Sequence, residues 1–502
     1  FAFELTRSDS QQLLRKSPHS RTDTEQPMAS PAAQSDIQLD PDIFRAYDIR
    51  GIVETNLTPT AVYWIGRAFA AEALSQDQHA AVIGGDGRIS TPLLCQSLTK
   101  GLNDGGINVI DVGTVPTPLL YYATHRIDEP EFPGTTSSIG TGIMVTGSHN
   151  PPEYNGLKMM IGGTTLAEEA IQRLRERVVS KNLPDGVGTY RKTKIINDYV
   201  SAVRDDIQLS RPLRVVVDCG NGVAGLVAPD LFSMLGCNVV PLYSDVDGNF
   251  PNHHPDPADP VNLLDLISAV DEHRADLGIA FDGDGDRLGI VSNCGTIIWP
   301  DRMLMLLARD ILSRNRGAEI IFDVKCSSRL ASLITDLGGK ALMWKTGHSH
   351  IKAKLKETGA LLGGEFSGHI CFVERWFGFD DALYSAARLL ELLSAETRTV
   401  EDIFLDFPPV MSTPEIKIPT TERKKFDVID ALSRRHYFDE GEITTVDGIR
   451  VDYEDGWGLI RASNTSPVLS LRFEAESTEA LQRIKNTFHT AITQIDPELV
   501  IP

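Results

Sequence analysis

Cysteine is sparse and poorly spaced for redox or zinc chemistry: Cys95, Cys219, Cys237, Cys294, Cys326 and Cys371 form no C-x-x-C pair. That scatter argues against a disulfide framework and suits buried thiols in a reduced, cytoplasmic protein. Positive charge is also short. Lys and Arg number 48 against 69 Asp and Glu, a net charge of −21, so nucleic acid and anionic membrane surfaces are poor partners. An anionic substrate then needs particular Arg and Lys residues that build a positive pocket against the global field. No apolar run approaches the length of a membrane span. Residues 1–38 are polar, rich in Ser, Gln and Pro, and lack the apolar stretch of a signal peptide, which predicts a disordered extension. Met28 offers an alternative start.

What is present reads as a globular chain of 502 residues, 41% hydrophobic and 23% charged, long enough for about three or four domains. Beyond the extension, short apolar strands alternate with amphipathic helices, the pattern of α/β units. Thr58-Pro59 opens a helix with an N-cap and a proline at its first position, and Val62, Ile65 and Phe69 recur on one face. Thr91-Pro92 and Thr117-Pro118 read as starts of the same kind. A weak repeat runs through the chain. Ala80-Ala-Val-Ile83 leads to Asp86, Val215-Val-Val217 to Asp218, and Ile320-Ile-Phe322 to Asp323, which predicts three related α/β domains, although strand-loop-helix units also recur by chance. Breaks near residues 188–191, 292–295 and 407–409 divide the chain into 39–191, 192–295, 296–408 and 409–502. The last part changes character: strands at Arg450-Val-Asp-Tyr453, Trp457-Gly-Leu-Ile460 and Val468-Leu-Ser-Leu-Arg-Phe473, then a helix from Thr478, predict a smaller α+β domain.

The most informative stretch is Asp282-Gly283-Asp284-Gly285-Asp286-Arg287 between two strand-like runs, Leu277-Gly-Ile-Ala-Phe281 and Leu288-Gly-Ile-Val291. Glycines let the backbone turn tightly enough for three carboxylates to converge. Their mutual repulsion calls for a hard cation, and Mg²⁺ accepts such oxygens in an octahedral shell. An EF-hand loop needs Gly at its sixth position and Glu at its twelfth; here those hold Arg287 and Asn293. A solvated acidic turn is the remaining alternative.

Thr146-Gly147-Ser148-His149-Asn150-Pro151-Pro152 follows the apolar strand Ile143-Met-Val145, so Ser148 is placed at a strand end, where α/β enzymes hold ligands. The stretch does not match the G-x-S-x-G elbow of hydrolases. Alone it reads as an ordinary turn residue; beside a Mg²⁺ loop Ser148 becomes a candidate phosphoryl carrier. Arg461-Ala-Ser-Asn-Thr-Ser-Pro467 offers one guanidinium, several hydroxyls and backbone N–H groups suited to a phosphate dianion, with a surface Ser/Thr turn as the equal alternative. Gly364-Glu365-Phe366-Ser367-Gly368-His369 fits sugar hydroxyl recognition or, equally, a solvated edge strand. Lys345-Thr346-Gly347-His348-Ser349 and Tyr47-Asp48-Ile49-Arg50 add cationic and hydrogen-bonding groups, whereas adjacent His253-His254 lacks further ligand spacing and takes no role.

Together T-G-S-H-N-P-P, D-G-D-G-D-R, G-E-x-S-G-H and R-A-S-N-T, in this order, resemble the α-D-phosphohexomutases, most nearly the bacterial bifunctional phosphomannomutase/phosphoglucomutase branch. The resemblance runs from just beyond the extension to the C-terminus. It implies three related α/β domains and a C-terminal α+β domain around a central cleft. It assigns Ser148 as the phosphorylated serine, primed by a hexose 1,6-bisphosphate, and Asp282, Asp284, Asp286 and the Ser148 phosphate as Mg²⁺ ligands. By motif, Glu365 and Ser367 read sugar hydroxyls, and Arg461, Ser463, Asn464 and Thr465 grip the non-reacting phosphate. Tyr47, Arg50, Lys158, Arg287, Lys345, His348 and His369 match positions lining the cleft, with His149 beside the serine. Two departures stand out: Phe366 where Met is usual, read as packing, and Gly85 where Arg is common, read as a changed local salt bridge.

The activity this implies is reversible conversion of mannose and glucose 6-phosphates to 1-phosphates through a 1,6-bisphosphosugar, supplying precursors of nucleotide sugars and exopolysaccharide. Lys158 and His369 are the candidates for proton transfer, with Arg50, His149 and Arg287 beside the reacting groups. The expected partners are small hexose phosphates, with no nucleic acid or membrane, on a monomer whose cleft opens about the linker 407–413. Phosphoglucosamine mutase, in which Gln is usual between the Glu and Ser of the sugar motif, is the alternative within the family. A non-catalytic sugar-phosphate sensor and a phosphatase are the alternatives outside it.

Overall fold

One connection occurs three times in the computed structural model, which describes residues 39–127, 138–407, 410–434, 437–438, 441–464 and 466–501. Each repeat runs strand, helix, strand, helix, strand, strand. Its first strand (Ala80–Gly85, Arg214–Asp218, Glu319–Asp323) lies between its second (Asn108–Thr114, Asn238–Leu242, Lys340–Trp344) and its third (Gly142–Val145, Leu277–Phe281, Leu362–Gly364). These three pair in parallel. The fourth (Tyr154–Ile161, Leu288–Ser292, Ile370–Phe372) returns antiparallel beside the third as a hairpin. The repeat seen in the sequence as three apolar strands ending on Asp is therefore a repeat of topology.

Composition explains the layout. The middles of the first strands are apolar and buried, as parallel strands covered on both faces must be. Helices such as Pro59–Leu74 and Thr91–Asp104 pack on each other. Thr58 caps the first as expected, its side chain accepting from Ala61 N–H at 3.1 Å. The other two Thr-Pro pairs behave differently: Thr91 and Thr117 are themselves the first helical residues. Their hydroxyls donate to Asp86 at 2.5 Å and Asp284 at 2.6 Å, so two presumed caps serve the site.

The apolar cores of the three repeats merge. The C-terminal part has its own core under a sheet of antiparallel pairs built on Ile449–Tyr453, Gly456–Ala462 and Val468–Ala475, backed by the helix Thr478–Ile495. The hairpin turns 146–153, 282–287 and 365–369 are thus one turn in three copies. Each sits at the carboxyl end of parallel strands, where open α/β sheets bind ligands. The predicted extension 1–38, the break at Pro408-Pro409 and Thr465 lie outside the described residues.

Candidate active site

Ser148 is held in a left-handed conformation (φ 49°) that non-glycine residues adopt rarely. The restraint comes from Arg88. Its guanidinium donates to the backbone carbonyls of Ser148 (2.8 Å), Asn150 (2.6 Å), Pro151 (2.5 Å) and Tyr154 (3.1 Å) while its Nε pairs with Asp86 at 3.1 Å. Gly147 is required here, because a Cβ at that position runs into the same guanidinium. The Ser148 amide donates to Thr146 Oγ1 at 2.8 Å, and its hydroxyl lies 3.2 Å from His149 Nδ1. Burial, then the charges of Arg287, Arg50 and Lys158, push the His149 imidazole well below its ordinary value, so it is neutral.

The Ser148 hydroxyl donates to Asp282 Oδ2 at 3.0 Å. Asp282, Asp284 and Asp286 are fully buried and each brings an oxygen within 4.8 Å of the others. Asp284 is tied to the first repeat by Thr117 Oγ1 (2.6 Å), Thr146 Oγ1 (3.2 Å) and Lys158 Nζ (2.7 Å), and Lys158 also donates to Asp286. Burial drives Asp282 upward and the charges of Asp284 and Asp286 add to it. Burial opposes charge on Lys158, but Asp284 and Asp286 outweigh it and hold the ammonium well above its ordinary range. Asp284 Oδ1 and Asp286 Oδ1 are buried without any hydrogen-bond donor. Three carboxylates with two orphaned oxygens beside a serine hydroxyl fit a hard divalent cation.

Arg287 Nε donates to His369 Nε2 at 3.0 Å. An arginine only donates, so a neutral His369 carries its proton on Nδ1. That nitrogen lies 3.1 Å from Asp380 Oδ2, which is also 3.1 Å from His348 Nδ1, and the two imidazoles stack at 5.2 Å. Lys352 closes the group with a 2.7 Å bond to Asp380.

In the third turn, Glu365 accepts the Gly347 N–H at 2.5 Å, and the Ser367 hydroxyl is buried without a hydrogen-bond partner. Phe366 packs against Trp299 at 5.7 Å and lies under the Arg472 guanidinium at 3.7 Å. From the C-terminal sheet, Arg461 Nε pairs with Asp447 at 2.8 Å while its Nη2 is buried without a partner. Lys425 donates to the carbonyls of Ser463 (2.6 Å) and Ser466 (3.1 Å), shaping the loop behind Arg461.

All three turns and this loop line one cavity of about 560 Å³. Tyr47, Arg50, Ser148, His149, Lys158 and Arg287 stand in its wall, and so do His348, Glu365, Ser367, His369, Arg461, Ser463 and Asn464. Lys345 is not brought in. It is 43% exposed and reaches to 3.9 Å from Glu168, because its side chain leaves the strand end towards the first repeat. Lys325, which sequence reasoning passed over, lines the cavity instead, 3.9 Å from Glu415. Its signal was its place two residues beyond Asp323. Arg88 and Lys425 were also missed: both act on backbone carbonyls, which no motif announces.

Comparison with known proteins accords with this arrangement. Family models match in chain order: phosphoglucomutase/phosphomannomutase alpha/beta/alpha domain I over residues 41–184, domain II over 197–295, domain III over 299–410 and the C-terminal domain over 415–491. The chain is 57% identical over 460 residues to a phosphomannomutase/phosphoglucomutase of Pseudomonas aeruginosa, covering 92% of this chain and 97% of that protein. It is 50% identical over 466 residues to a phosphoglucomutase of Neisseria meningitidis serogroup A, covering 92% and 98%. A crystal structure of a phosphoglucomutase/phosphomannomutase family protein from Burkholderia thailandensis superposes with TM-score 0.87 at 48% identity, covering 93% of this chain and all of that one. The chain belongs to the phosphoglucomutase/phosphomannomutase family.

Proposed function

We infer that this protein is a phosphohexomutase, an isomerase that moves a phosphoryl group reversibly between the 6- and 1-positions of mannose and glucose phosphates. The observation that carries this reading is the Ser148 hydroxyl 3.0 Å from Asp282, facing a cavity that Arg461 also lines. A carrier hydroxyl and an anion socket in one cavity let one sugar present either end while the other phosphate is held.

Phospho-Ser148 transfers its group to the free sugar hydroxyl, giving a 1,6-bisphosphosugar. That intermediate turns over in the cavity and returns its other phosphate to Ser148. Arg461 and the Ser463-Asn464 loop hold the phosphate that does not react, and Glu365 and Ser367 face the sugar ring. The proton of the attacking hydroxyl goes to His369 Nε2 once Arg287 turns to the phosphoryl oxygens. Lys158 remains cationic between Asp284 and Asp286 and serves as an electrostatic partner rather than a base. Mg²⁺ held by Asp282, Asp284 and Asp286 supplies charge neutralisation for the serine phosphate.

We propose further that Ser148 is primed by a hexose 1,6-bisphosphate, that hexose phosphates are the only obligatory partners, and that the enzyme works as a cytoplasmic monomer. Domain divisions at 191, 295 and 408 suit this reading. A coupled assay on mannose 1-phosphate and glucose 1-phosphate, with and without Mg²⁺, tests it. Metal-dependent appearance of both 6-phosphates is expected. Release of inorganic phosphate without isomer overturns it.

A further inference from the structure

Each repeat has a buried aspartate at the end of its first strand or one residue beyond it, absent from the cavity wall: Asp86, Asp218 and Asp323, exposed by 4%, 1% and 0%. Asp86 and Asp323 stand in equivalent registers, one residue beyond the strand pairs Gly85–Val145 and Phe322–Gly364, and what they hold is equivalent too; Asp218 pairs with Ala280, two residues before its turn. Asp86 Oδ2 accepts the amide of Gly147 at 3.0 Å, the second residue of the serine turn. Its other oxygen takes the Arg88 amide at 3.0 Å and the Thr91 hydroxyl at 2.5 Å. Asp323 Oδ1 accepts the amide of Phe366 at 3.1 Å, again the second residue of its turn, and Oδ2 takes the Thr346 hydroxyl at 2.9 Å.

The middle repeat adds a relay. Its equivalent amide, Gly283, donates to the Pro255 carbonyl at 3.2 Å. Pro255 belongs to the segment 253–256, which Asp218 holds through His253 Nε2 at 3.0 Å. The second amide of each turn has left the strand ladder, and a buried N–H without a partner forfeits its hydration with nothing in return. A carboxylate at the neighbouring strand end supplies a strong, directional acceptor and sets the turn at the same time. Aspartates that only filled space need not share a register and a target as Asp86 and Asp323 do, nor reach the equivalent amide's acceptor segment as Asp218 does.

We propose that Asp86, Asp218 and Asp323 are positioning residues, one for each turn: Asp86 sets Ser148, Asp218 sets the acidic turn through His253, and Asp323 sets the turn of Glu365 and Ser367. The kinetic half of the test rests on the phosphohexomutase reading; the exchange half does not.

Asp323→Asn is expected to raise KM about tenfold and shift the mannose-to-glucose preference, with Ser148 phosphorylation within about twofold of wild type. Asp86→Asn is expected to lower kcat about a hundredfold with KM within about threefold. Amide-exchange mass spectrometry on each folded variant should show loosening confined to 365–369 for the first and to 146–153 for the second. If the wild type lacks mutase activity while exchange stays turn-specific, the functional reading fails and the positioning stands. Loosening of both turns in both variants, or one shared kinetic defect, overturns the positioning. Where one variant does not fold, the other decides. If neither accumulates as folded protein, the carboxylates serve folding rather than the turns, and the proposal is wrong.

Discussion

The Ser148 hydroxyl donates to Asp282 Oδ2 at 3.0 Å across 134 residues of chain. One bond joins the serine turn of the first repeat to the acidic turn of the second, so the serine oxygen and the carboxylate cluster form a single chemical unit.

Replacing Ser148 with alanine removes that oxygen and little else. Intact-mass measurement should show one phosphate per chain in wild type and none in Ser148→Ala. Mutase turnover is expected to fall by about a thousandfold or more, with the melting temperature within a few degrees of wild type. Phosphate retained on the alanine variant identifies a different carrier.

Lys158 tests the charge balance. Its ammonium bonds Asp284 and Asp286 inside the protein, and removing one partner of such a buried group costs about 3–5 kcal/mol. Lys158→Met is therefore expected to melt early in chelator and to recover more stability on Mg²⁺ addition than wild type does. An equal Mg²⁺ response in both proteins means that lysine and cation do not share these carboxylates.

The His253–Asp218 pair makes a pH-dependent contribution. Burial pulls the imidazole down, but the hydrogen bond and charge of Asp218 outweigh it and leave His253 above its ordinary value of 6.5. The folded state thus binds the proton more tightly than the unfolded chain. The stabilisation is full below the unfolded value and is lost as pH rises through the folded one. Urea midpoints of wild type and His253→Asn should differ most near about pH 5.5 and converge towards about pH 9. A gap that widens with pH reverses the assignment.

Gly85 carries steric weight. A Cβ there meets Thr91 Cγ2, and Thr91 is not free to move, since it donates to Asp86 and accepts from Asn155 at 2.9 Å. Gly85→Ala is expected to cost about 1–3 kcal/mol, read as a lower denaturant midpoint. Unchanged stability means that the first strand gives way where the contacts say it cannot. The departure expected to alter a local salt bridge is therefore better described as a packing constraint beside Asp86.

Legibility followed the range of the interactions. The acidic turn could be read because all its carboxylates lie within five residues, on a backbone that glycine allows to fold back. The three repeats could be read because buried parallel strands demand apolar runs. Lys345 and Lys325 show the limit: both follow strand ends in the third repeat, and nothing local says which side chain turns to the cavity and which to Glu168. The same holds for Thr91 and Thr117, whose Thr-Pro pattern signals a helix start correctly but not that their hydroxyls bond to distant aspartates.

By itself, the order of residues determined which strands form, where each hairpin turns, and which side chains have the chemistry for cation and phosphate. Those outcomes depend on local backbone preference and on the burial of apolar runs. Only the tertiary structure decided that three turns and a fourth loop share one cavity, that Arg88 and Asp86 brace the serine, and that Lys158 lies between two aspartates more than a hundred residues away. Those depend on how separate sheets pack, and the pairing of buried charges is settled only once that packing has removed the water between them.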